Sequence, residues 1–164
     1  MAWDEDPGEP GGTATRALAK QIGLPVEEFV DVFGAGWQPL PNAEIDFDAD
    51  PFGEGHIFGP WYIAGDPFQL MLRVRPEIEA VELARPKGSW AGHRLVWRPD
   101  TDSELVPLTG PWQETAGQVV KTLLRRRRTS FRYCRYCREL TPPEHRLDAD
   151  LCQGCATIWH GVIY

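Results

Sequence analysis

The sequence predicts an α+β chain, a small and mostly antiparallel sheet with flanking helices, followed by a C-terminal four-cysteine module. Three observations predict it. Strict two-residue alternation runs through residues 68–75, where Phe68, Leu70, Leu72 and Val74 interleave with Gln69, Met71, Arg73 and Arg75, so one face of the strand is expected to be buried. Apolar residues at helical spacing recur on either side of it, in residues 13–34 and 112–128. All four cysteines fall within the last 31 residues, as two Cys-x2-Cys pairs.

Residues 1–12 are acidic and rich in Pro and Gly, the opposite of a signal peptide, and read as a disordered lead-in. No run approaches the roughly 18 apolar residues of a membrane span, so a cytoplasmic protein is expected. Residues 13–34 form two short helices. Leu18, Ile22, Phe29, Val30 and Phe33 supply their apolar faces, and Gly23-Leu24-Pro25 breaks between them. Ala19, Gly23 and Phe29 lie near helix-turn-helix spacing. The second helix, however, carries Glu27, Glu28 and Asp31 and no Lys or Arg, so a phosphate backbone would repel it. A plain helical hairpin is the better reading.

Residues 37–55 read as a loop with prolines at 39, 41 and 51. Asp46, Asp48 and Asp50 imitate the opening of a calcium-binding EF-hand loop. Pro51 stands where that loop needs glycine and Ile57 where it needs glutamate, leaving an acidic surface loop. Residues 57–64 and 94–98 are expected to flank the 68–75 strand. Residues 76–85 are ambiguous. Pro76, Glu77 and Glu79 suit a first helical turn, but a strand pairing with 68–75 stays open. Trp37, Trp61, Trp90 and Trp97 read as core anchors or pocket walls. Gly110-Pro111 opens a helix over 112–128 with Val119, Val120, Leu123 and Leu124 as its apolar stripe. The expected division is an α+β body at 13–110, a basic helix at 111–130 and the cysteine module at 131–164.

Charge is divided along the same lines. Residues 1–120 carry 8 Lys/Arg against 20 Asp/Glu, a net −12, whereas residues 121–164 carry 9 against 4, a net +5. Different partners for the two parts, or attraction between them, would each account for this. Arginine outnumbers lysine 14 to 3, a mix that GC-rich, actinobacterial-like genomes encode.

In the cysteine module, Cys134-x2-Cys137 and Cys152-x2-Cys155 are separated by fourteen residues. A two-residue gap lets two thiolates of one tight turn face a single ion, and two such turns complete the tetrahedron that zinc prefers. One structural Zn2+ per chain is therefore expected, contributing on the order of 10–16 kcal/mol at neutral pH. Iron fits the same four sulfurs and remains open. A redox dithiol ordinarily has one such pair beside a βαβ unit, and a disulfide scaffold spreads its cysteines. His145 and His160 read as surface or packing residues. Residues 131–164 resemble the zinc-ribbon and treble-clef group of zinc fingers. Leu151-Cys152-Gln153-Gly154-Cys155-Ala156 resembles the second knuckle of GATA-type and related treble clefs. The resemblance implies a short helix over 156–160 ended by Gly161, and a closing strand at Val162-Ile163-Tyr164. It does not extend to residues 1–130.

No catalytic constellation emerges: a filled thiolate sphere cannot activate water, and no phosphate-cradling loop or nucleophile elbow occurs. His56 and His93 lie beside acidic loops with no nucleophile fixed near either. Residues 121–138 hold eight Lys/Arg and no acid, interleaved with Phe131, Tyr133 and Tyr136. Guanidiniums suit phosphates, and aromatic faces between them stack on unpaired bases. The candidate contact residues are Arg125, Arg126, Arg127, Arg128, Arg132, Tyr133, Arg135, Tyr136 and Arg138. Their partner is a nucleic acid on one reading. On the other, the acidic body is a protein-interaction adaptor, an acidic protein is the partner, and the module is a docking or dimerisation unit. The arginines also suit a purely structural role, neutralising the body or capping a helix end.

Overall fold

The computed structural model describes residues 12–41 and 59–163. The acidic lead-in before Gly12, the loop holding Asp46, Asp48 and Asp50, His56, Ile57 and Tyr164 lie outside the described residues. Among the described residues, four α-helices and a mostly antiparallel set of strands make an α+β fold, as expected.

The first two helices are α1 (Thr13–Ile22) and α2 (Val26–Phe33). Gly23 ends α1 in the left-handed region (φ 82°), where its N–H bonds back to the Ala19 and Lys20 carbonyls. That conformation is nearly free for glycine and strained for other residues. Pro25 then sets the entry to α2, whose Glu27 and Glu28 sit in the first turn, where the helix dipole favours acids.

Five strands form one antiparallel sheet in the order β1-β2-β3-β4-β7: β1 (Gln38–Pro39), β2 (Tyr62–Ala64), β3 (Leu70–Arg75), β4 (Ala80–Ala84) and β7 (Glu104–Pro107). A separate hairpin pairs β5 (Pro86–Ala91) with β6 (Arg94–Pro99). The ambiguous 76–85 stretch divides. Pro76–Ile78 makes a single 3-10 turn, Glu79 follows at φ 47°, and β4 then pairs with β3. Thus the turn signals and the strand signals were both real, over fewer residues each. Gln38–Pro39 departs from the expected loop because its backbone pairs with β2.

Both faces of this sheet are covered. On one, Leu70, Leu72, Val74, Val81, Leu83 and Val106 meet Leu18, Phe29 and Phe33 of α1 and α2 and Ala116, Val120 and Leu123 of α3 (Trp112–Thr129). On the other, Ile63, Met71 and Ala84 meet Trp97, with Phe68 and Leu95 against them. The expectation of one buried face is therefore corrected. Met71 is fully buried, and Phe68 sits edge-on to Trp97 with ring centroids 5.1 Å apart. The polar side of β3 is also enclosed. Arg73 donates to Glu82 across the strands (2.6 Å) and lies 4.7 Å over the Trp61 ring, and Ser103 donates to the same carboxylate.

Candidate metal centre and its basic rim

The last third of the chain is built on α3. Its apolar stripe faces the first core, and Arg126, Arg127 and Arg128 fill its last turn, where cations suit the dipole. Directly after it, β8 (Arg132–Tyr133) pairs antiparallel with β9 (Leu140–Thr141). Cys134 and Cys137 sit in the connecting turn, closed by a Cys134 N–H bond to the Glu139 carbonyl (3.0 Å) and an Arg138 N–H bond to the Cys134 carbonyl (2.9 Å). The other pair opens α4 (Gln153–His160). Cys152 is its N-cap, with a sulfur that accepts from the Cys155 N–H at 3.3 Å. Gly161 ends this helix, as the second-knuckle resemblance implied. Val162 and Ile163 form no strand. The Val162 N–H instead bonds to the Ala156 carbonyl, closing the helix end.

All four sulfurs lie within 4.8 Å of one another, and those of Cys137 and Cys152 are 3.9 Å apart. Metal–sulfur bonds of ~2.3 Å in a tetrahedron put the sulfurs about 3.8 Å apart, so the cluster fits a single ion. Electrostatics agree. The Cys152 N–H, 3.5 Å from the Cys134 sulfur, is the largest influence holding that thiol down to about 6, with help from the Cys137 and Tyr136 N–H groups. Burial pushes Cys155 up to about 12, and the three neighbouring sulfurs add to the rise. At Cys137 the Glu139 N–H and the Cys155 thiol pull downward, but burial and the Cys134 and Cys152 thiols outweigh them and the net shift is upward. These shifts favour the thiolate at Cys134 and oppose it at Cys137 and Cys155, where a cation among the sulfurs would offset the penalty.

Between the two cysteine pairs, a 3-10 turn (Pro143–His145) carries a residue that sequence reasoning did not single out. Glu144 is buried at 6% exposure and forms a two-pronged pair with Arg127, itself 3% exposed: Nη1 to Oε2 at 3.0 Å and Nη2 to Oε1 at 2.6 Å. The Arg127 Nε donates to the Phe68 carbonyl (2.9 Å), and its guanidinium lies 5.0 Å over the Phe131 ring. The Glu144 carbonyl accepts from Trp90 Nε1 (2.8 Å) on β5 and from Gln153 Nε2 (3.3 Å) on α4. One residue thus ties α3, the β5–β6 hairpin and α4 together.

Gly88 on β5 makes this seam possible. A Cβ there would stand 2.9 Å from the Glu144 Cβ. We expect Gly88→Ala to destabilise the chain by about 1–3 kcal/mol through overpacking, read as a lower Tm in a thermal melt. An unchanged Tm would mean that the turn yields.

The other candidate contact residues are distributed as follows. Arg125, Arg126, Arg128, Arg132, Tyr133, Arg135, Tyr136 and Arg138 are exposed, whereas Arg127 is inside the protein and presents no free donor at the surface. Arg126 is drawn to the body by Asp102 (3.3 Å). Lys121, Arg125 and Arg128, joined by Leu124 and Thr129, line an open groove of about 420 Å³ along α3. Arg132 continues this line, because its Nη1 donates to the Thr129 carbonyl at 2.6 Å. Sequence reasoning missed Lys121 as part of this line, and Trp159, which stacks on Tyr136. Lys121, Arg125 and Arg128 recur at spacings of four and three, which puts them on one helix face. No helix among the described residues is long and apolar enough to cross a membrane.

No protein-family model, curated protein or solved structure matches the chain. What the chain does has to be read from these residues.

Proposed function

We propose that the chain is a zinc-binding, nucleic-acid-binding protein in which a structural, treble-clef-like zinc site fixes a cationic surface for phosphates. The ligands are Cys134, Cys137, Cys152 and Cys155. Two sulfurs come from a hairpin turn and two from a helix N-terminus, which is the treble-clef arrangement rather than the two hairpins of a zinc ribbon. Zinc suits four thiolates in a closed tetrahedron, has no redox chemistry to protect, and leaves no open position for catalysis.

The observation that carries the binding reading is the line Lys121, Arg125, Arg128 and Arg132. These exposed cations follow one groove and the residue that continues it, on a chain whose net charge is −7. Phosphates on neighbouring nucleotides match such a row, and each contact releases a counterion. An external polyanion is favoured over attraction to the acidic body because, among the described residues, none of these four cations pairs with a body acid, and Arg128 meets the neutral Gln69 at 2.7 Å.

The test is binding of a fluorescent oligonucleotide over a salt series. Replacing Lys121, Arg125 and Arg128 together by Gln leaves the buried Arg127 intact. It is expected to weaken binding and to flatten the slope of log K against log salt by about 2–3, close to one unit per lost phosphate contact. Absence of binding at low salt, or an unaltered slope, would overturn the proposal.

A further inference from the structure

Beside the ligand turn, three planar groups are layered at the surface. The Arg135 guanidinium lies 5.1 Å over the Tyr136 ring. Tyr136 is in turn near-parallel to the Trp159 indole, at 16° with centroids 6.0 Å apart. His160 fixes the middle layer: its ring meets Tyr136 edge-on, and its Nε2 is 3.2 Å from the Tyr136 hydroxyl. Trp159 nevertheless remains 65% exposed and Tyr133 66% exposed. An indole held in place, with a free face, on a helix anchored by two of the four cysteines, is unexplained by folding. Arg135 brings positive charge to the stack through its contact with Tyr136. Its ion pair with Asp150 is weak, at 3.5 Å between groups that are both more than half exposed, and its charge also acts on Asp148.

We infer that the Tyr136–Trp159 stack is a base-stacking platform, and that the nucleic acid bound by the basic line is single-stranded. This rests on the proposed nucleic-acid binding and narrows it. Bases in a duplex offer no free face to an indole, whereas an unpaired base adds one more layer to a guanidinium–phenol–indole stack. The Arg135 charge selects a polyanion carrying planar groups over an apolar peptide.

The experiment compares an oligo-dT strand of about 12 nucleotides, within the usual site size, with the same strand annealed to oligo-dA. The wild type is expected to prefer the single strand. Trp159→Ala should weaken single-strand binding by about 5- to 150-fold, with the salt slope unaltered, and leave duplex binding as it was. Trp159→Phe should restore most of the loss, and all three proteins should carry the same metal content. Equal affinity for single strand and duplex, or a Trp159→Ala variant that binds the strand like wild type, would overturn the stacking platform while leaving phosphate binding intact. So would self-association of the wild type without nucleic acid that Trp159→Ala abolishes, since Ile158 and Ile163 are exposed nearby. If the wild type binds neither probe at low salt, the wider proposal falls with it.

Discussion

Stripping the metal from this protein, with a chelator or by Cys155→Ser, is expected to unfold residues 131–163 and to loosen the body to which they are docked. The reason is the poverty of that segment's own core. Its buried cluster consists of Cys134, Leu151, Cys155 and Ala156, with Cys152 and Val162 half-buried against it. Three of those six are cysteines proposed as ligands. Burying a leucine contributes about 1.5–3 kcal/mol, while ordering each backbone residue costs roughly 1–2 kcal/mol, so the segment cannot hold itself together on apolar contacts. A structural zinc ion supplies on the order of 10–16 kcal/mol and closes that gap.

Hydrogen exchange followed site by site gives the decisive reading. Amides of α4 and of the β8–β9 turn should lose protection on chelation, while those of β3 and β4 keep most of theirs. Elemental analysis of the untreated protein should find one zinc per chain. A metal-free chain with α4 as protected as before would sink the expectation, and a red, iron-bearing protein would replace zinc by the other metal that four sulfurs accept.

How much of this was legible in the sequence depends on how local each signal is. The two Cys-x2-Cys pairs, the α1–α2 hairpin with its Gly23 break and the stripe of α3 are written within a few residues of each other, and the structure reproduces them. The β5–β6 hairpin was only half visible. Arg94 to Pro99 has strand character, but Lys87, Gly88 and Ser89 show no alternation, and their extended form depends on pairing with residues up to a dozen positions away. Met71 read as a solvent-facing position because nothing in its own strand announces Trp97, which covers it. The run of four arginines misled in the same way. As a composition it says surface. As helical positions, Ala116, Val120, Leu123 and Arg127 advance by four, three and four and continue one buried stripe. The phase was readable, but the partner that makes a buried arginine tolerable, Glu144, stands 17 residues on, in a segment whose position depends on the metal site.

That pair carries the second large effect. Arg127→Ala is expected to cost about 3–5 kcal/mol, because it leaves the Glu144 carboxylate buried without its two charge-assisted bonds. The Phe68 carbonyl loses its donor and the Phe131 ring its cation at the same time. Glu144→Ala is expected to be similarly damaging, leaving a buried guanidinium with one carbonyl partner. The exposed Arg125→Ala, by contrast, should change stability by no more than about 0.5 kcal/mol. Two single losses of that size need not add. Arg127→Met combined with Glu144→Leu removes both charges and refills the space with apolar atoms. Such replacements of a buried pair are often neutral or stabilising, so the double variant should recover most of the stability that either single variant loses. Urea unfolding of the four proteins in metal-saturated buffer measures this directly. If the single variants unfold like wild type, the pair is ornamental and the docking of the metal segment lies elsewhere. If the double variant is as unstable as the sum of the singles, the bonds of Arg127 to Phe68 and of Glu144 to its own surroundings matter more than the pairing between them. The expected outcome, large single losses and a recovered double, would make the Arg127–Glu144 pair the coupling between metal and body. It would also explain why a four-arginine run ends α3: three of its members face solvent, and the third in line holds the metal segment against the sheet.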